Sequence, residues 1–137
     1  MAVVKELIRS EKDGTLSFGD FTLNTKSKLS DFAHGGDMCK VKTFYEITKL
    51  ERNGSFVYES VPGTAVNNFE AADDGVSFMV EGKEDAQITL ELEEGASYDI
   101  SINGEDAGTM KTNMGGKLVL SVEFDGGKPV TVNVKKA

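Results

Sequence analysis

A chain of 137 residues with a formal net charge of -8 has the length of one domain. At that length roughly two thirds of the unfolded surface can be buried, so one core is possible without staples. The acidic balance repels phosphate backbones and anionic lipid, which excludes nucleic acid and membrane surfaces as expected partners. The imbalance belongs to one half: residues 1–68 carry nine basic and nine acidic side chains, whereas residues 69–137 carry six and fourteen.

Cys39 is the single cysteine, so no internal disulfide can form. The N-terminus lacks the basic region and apolar core of a secretory leader. No run approaches the ~20 apolar residues of a helical membrane span. These features predict a cytoplasmic protein.

In chain order, residues 3–9 read as a first strand. Asp13-Gly14 turns into a strand over 15–18, and Gly19-Asp20 turns again into one over 21–23. Residues 26–33 read as a short helical turn, because Leu29 and Phe32 are three apart. His34-Gly35-Gly36-Asp37 reads as a loop, and 38–51 as one long β-rich run. Asn53-Gly54 is a hairpin signal, since both residues tolerate positive φ. The return strand over 55–61 ends at Pro62-Gly63, because proline cannot donate to a ladder. Strands over 65–70 and 76–80 flank Asp73-Asp74-Gly75.

The remaining chain alternates apolar and polar residues. Ala86, Ile88, Leu90 and Leu92 are followed by Tyr98, Ile100 and Ile102, then Leu118, Leu120, Val122 and Phe124, then Val130, Val132 and Val134. A period of two gives each strand one dry and one wet face. A short strand is expected over 109–112, and Asp125-Gly126-Gly127 is expected to turn. About ten short strands, separated by turn signals roughly every 8–12 residues, predict an all-β antiparallel sandwich or partly closed barrel. It is read as a single domain over 1–137; any division into two lobes would fall near residues 82–85.

The chemical inventory is thin. His34 is the only histidine, and Asp31, Asp37 and Cys39 lie near it in sequence. A thiolate–imidazole pair or a metal site would need these side chains together. A cysteine entering a strand is more simply a small buried hydrophobe. His34-Gly35-Gly36 has no Gly-x-Ser-x-Gly elbow to accompany it. Asp73, Asp74, Glu84, Asp85, Glu105 and Asp106 fall at loop ends without the spacing of a calcium loop. No catalytic residue, metal ligand or cofactor is therefore assigned. Phe44, Phe56 and Tyr58 are the candidate aromatic binding face, with Phe56 and Tyr58 placed on one side of their strand.

The run Val57 to Val66, with Asn103-Gly104, Gly108 to Asn113 and Gly116-Lys117-Leu118, resembles a group of short bacterial proteins that carry an endosialidase label. The similarity spans most of the chain and rests on turn residues. No catalytic residue carries over from it. Sialidase chemistry clamps the sugar carboxylate with three arginines, and this chain has only Arg9 and Arg52. The functional expectation is a non-enzymatic structural or protein-interaction sandwich that pairs with another protein or self-assembles. The alternative is a glycan- or small-ligand-binding module using Phe44, Phe56 and Tyr58.

Overall fold

The computed structural model describes residues 3–124 and 128–137; the Asp125-Gly126-Gly127 turn lies outside them. Thirteen strands and no helix are present among the described residues. One sheet has seven strands, in the spatial order β1 (Ile8–Ser10), β2 (Leu16–Phe18), β7 (Ala65–Ala72), β8 (Gly75–Glu81), β13 (Val130–Lys136), β10 (Ser97–Ile102) and β11 (Glu105–Lys111). The other has six: β12 (Lys117–Val122), β9 (Ala86–Glu91), β6 (Ser55–Val61), β5 (Ile47–Arg52), β4 (Asp37–Phe44) and β3 (Ser27–His34). Every pair is antiparallel. The sheets do not close into a barrel, so the fold is an all-β sandwich.

The alternation explains the core. Val41, Leu50, Tyr58, Leu90 and Leu118 sit opposite one another across β4, β5, β6, β9 and β12, all buried. From the other sheet Val66, Val80, Val130 and Phe78, Val132 meet them as facing rows. Residues 82–85 carry the chain from β8 in one sheet to β9 in the other, and both sheets contribute to one apolar cluster. Three hairpins close on two-residue turns with positive φ at both positions: Gly35-Gly36, Asn53-Gly54 and Asn103-Gly104. Such turns match the right-handed twist of the flanking strands.

Several expected elements differ. Residues 26–33 are not a helical turn but contain most of β3. The spacing of Leu29 and Phe32 has a different cause. The β3–β4 register shifts between them, with Asp31 at φ 59°, so that Leu29 faces Val41 and Phe32 faces Cys39. The bulge absorbs one residue and returns both side chains to one face at a helix-like interval. Only Ile8–Ser10 of the first expected strand pairs, and residues 21–23 form no strand. The run 38–51 divides at Tyr45-Glu46 into β4 and β5. The expected strand over 109–112 is the end of the longer β11.

Ile88 is fully buried between the sheets, while its neighbour Thr89 lies on the opposite face of β9. Ile88→Ala is expected to lower unfolding free energy by about 2–5 kcal/mol and Thr89→Ala by no more than about 0.5 kcal/mol, measured by denaturant titration.

Candidate functional site

The three candidate aromatics do not form one face. Glu51 sits opposite Phe56 and Leu50 opposite Tyr58, with a register shift between them, so Val57 is the extra residue of a bulge. That residue reverses the alternation. Phe56 is turned to the outer face, where the Lys117 ammonium lies 4.6 Å and the Lys49 ammonium 6.0 Å from its ring centre. Tyr58 is instead completely buried, edge-on to Phe18 at 5.3 Å and Phe78 at 5.6 Å. Phe44 ends β4, beside Tyr45 at 5.3 Å and under Lys26 at 5.9 Å. The expectation that Phe56 and Tyr58 share a side is therefore corrected.

The Tyr58 hydroxyl begins a buried polar chain. It lies 2.8 Å from Thr64 Oγ1, which is 2.7 Å from Ser60 Oγ. Thr48 Oγ1 donates to the Thr64 carbonyl at 2.7 Å and accepts from the Thr64 N–H at 3.1 Å. Since its proton is committed, Thr43 Oγ1, 2.8 Å away, donates to it and in turn accepts from the Asp20 N–H. Burial raises the Tyr58 phenol well above its ordinary range, opposed by the bonds to Thr64 and Ser60. No buried polar side-chain atom among the described residues lacks a partner. The chain is thus structural cement, with no exposed reactive end.

His34, Asp37 and Cys39 line a pocket of about 290 Å³ with Arg52 and Glu70. They do not make a nucleophile. His34 Nδ1 is 2.7 Å from Ser10 Oγ, across the β1–β3 edge of the sandwich. Asp37 accepts from Asn53 Nδ2 at 2.9 Å and lies 4.0 Å from Arg52. Cys39 is buried opposite Phe32, and burial pushes its thiol up, away from the thiolate a nucleophile requires. Among the described residues no three His, Cys, Asp or Glu side chains gather as a metal site would need. No helix there is long and apolar enough to cross a membrane.

Two surfaces escaped the sequence reading. On the outer face of the six-stranded sheet, Lys28, Lys42 and Lys49 sit directly opposite one another on β3, β4 and β5. Lys40 shares that face two residues from Lys42. The available signal was the alternation of lysines at 26 and 28 and at 40 and 42, but their juxtaposition needed the register. The second surface is the β12 edge. Its neighbour on one side is β9, and on the other side no strand among the described residues is bonded to it. On this strand Val119 is 43% exposed, and Met114, in the turn leading into β12, is 85% exposed. The outer face of the seven-stranded sheet is instead polar and concave. Glu70, Ser77, Asn133, Ser101 and Asp106 form one row across five strands, within a depression of about 650 Å³.

Compared with models of known protein families, with curated proteins and with solved structures, the chain matches none. The functional reading rests on the surfaces themselves.

Tyr58→Phe is expected to cost about 1–3 kcal/mol, because it removes one buried partner of Thr64. Above about pH 10 an unfolded phenol ionises while folded Tyr58 keeps its proton. The native state then binds more protons, so stability held below about pH 10 declines as pH rises further. The decline should be shallower in Tyr58→Phe, by thermal melts between pH 8 and 11. Cys39 should resist a thiol-specific dye in the native protein at neutral pH and react within the mixing time once denatured, followed by absorbance.

Proposed function

We propose that this protein is a non-enzymatic structural sandwich that self-associates edge to edge through β12. The observation that carries this reading is the contrast among the four sheet edges. β1 has three residues and is laced to β3 through Ser10 and His34. β3 is bulged at Asp31 and bears Lys28 and Asp31. β11 is bulged beside Gly108 and bears Glu105, Asp106 and Lys111. Short length, bulges and charges are the devices that keep edges from pairing. β12, Lys117-Leu118-Val119-Leu120-Ser121-Val122, has no bulge, glycine or proline, and its one charge is at its start.

A second copy fits this edge in a defined register. Asn113 exchanges hydrogen bonds with the Lys117 backbone, its N–H reaching the Lys117 carbonyl and its Oδ1 accepting from the Lys117 N–H. Lys117 therefore points its backbone groups away from β9. Alternation then aims those of Val119 and Ser121 outward as well. For the apolar face to continue across a two-fold axis, residues of equal parity must oppose. Placing the axis at Leu120 sets Leu118 against Val122 and Val119 against Ser121, and the pairing stops at Lys117, where Asn113 already covers the edge. Four backbone hydrogen bonds result, and two six-stranded sheets become one of twelve. A reducing cytoplasmic setting suits a chain whose lone thiol stays free and buried.

Sedimentation velocity over a wide concentration range tests the pairing. The parent chain should show a concentration-dependent dimer. Ser121→Pro, which removes an outward N–H that an edge strand does not need for its own fold, should remain monomeric, as should Val119→Lys. A parent chain that is monomeric throughout, or a dimer unaffected by both changes, would refute the reading.

A further inference from the structure

We propose that the lysine lattice on the outer face of the six-stranded sheet is a docking surface for an extended acidic peptide with carboxylates on alternate residues. In the row Lys28–Lys42–Lys49, three like charges stand directly opposite one another. Such pairs are destabilising in a sheet. Lys40 adds a fourth ammonium along β4, and Lys26 a fifth beside Phe44. Lys49 reaches Glu51 at 3.9 Å. Among the described residues no acid lies within ion-pair distance of Lys28, Lys40 or Lys42. Lys42 titrates below its ordinary range, first from desolvation and then from Lys26, Lys49 and Lys28, opposed by Glu59. An isolated scaffold gains nothing from this arrangement, and an anion laid over it would relieve the repulsion.

The dimensions select the anion. Same-face residues two apart on a strand are separated by about 6.6–6.8 Å, and adjacent strands by about 4.8 Å. Lys40 and Lys42 therefore carry the repeat of an extended peptide running along β4. Lys28 and Lys49 flank the second carboxylate from either side. The basic area ends abruptly: Asp31, in the β3 bulge, lies beside Lys40, Glu51 is opposite Lys40, and Glu59 opposite Lys49. A long phosphate backbone would run onto these acids. A short acidic strand over Lys40 and Lys42 has Lys28 and Lys49 on its flanks and meets Glu51 and Asp31 only at one end. Phe44 and Phe56 border the lattice and give such a peptide apolar edges to rest on.

The test uses three fluorescent probes: a peptide alternating Glu and Ser, a peptide of the same composition with its Glu residues contiguous, and an oligodeoxythymidylate of equal charge. Fluorescence anisotropy should show the alternating peptide binding most tightly and weakening as salt rises. Lys42→Gln with Lys49→Gln should weaken it roughly tenfold or more. The same variant, and Lys28→Gln alone, should melt no lower than the parent, since repulsion has been removed. That result separates a docking role from a structural one. The proposal fails if the alternating peptide does not bind, if the substitutions leave its affinity unchanged, or if the contiguous peptide or the oligonucleotide binds as tightly.

Discussion

The polar chain from Asp20 through Thr43, Thr48 and Thr64 to Tyr58 holds together one end of the sandwich, where the chain crosses from β2 to β3 and from β6 to β7. The Asp20 N–H belongs to the connection from β2 to β3, and Thr64 to the connection from β6 to β7. Both crossovers are thereby fastened to the β4–β5 hairpin by threonine hydroxyls. Each bond alone is worth about 1 kcal/mol. Inside the core each also satisfies a group whose exposure to apolar surroundings would cost more than that. Tyr58 links this chain to the aromatic cluster of Phe18, Phe69 and Phe78. Polar and apolar halves of the core thus share one residue, and the sheets acquire a single relative position.

The interior is held by packing and by this chain. The bulges decide what the outside looks like. At Val57 a bulge sends Phe56 out and Tyr58 in; at Asp31 another blunts an edge. β12 has neither device, and its regularity makes it the edge best suited to another strand. Its apolar face is continuous with the core wall of β9 and β6, so pairing there would extend an existing surface.

The class of fold was legible because β9, β10, β12 and β13 alternate without interruption, and Asn53-Gly54 announced its hairpin through residues that accept positive φ. β3 was misread for a reason specific to it. A bulge between Leu29 and Phe32 reproduces a helical interval, and nothing in one strand's sequence separates the two causes. The candidate aromatic face was lost in the same way, since a period of two assigns Phe56 and Tyr58 to one side unless Val57 is known to be extra. Lys28, Lys42 and Lys49 became a row only when the β3–β4–β5 register was known. Single-strand patterns carry face and period; juxtaposition across strands depends on register, which bulges shift.

Edge pairing at β12 is the claim on which the biological reading turns. Amide hydrogen exchange, compared between dilute and concentrated protein, addresses it residue by residue. The amides of Val119 and Ser121 should be fast in dilute solution, having no partner in the monomer, and should gain protection as concentration rises, with Leu118 and Leu120 slow throughout. Equal exchange of Val119 and Ser121 at both concentrations would contradict it.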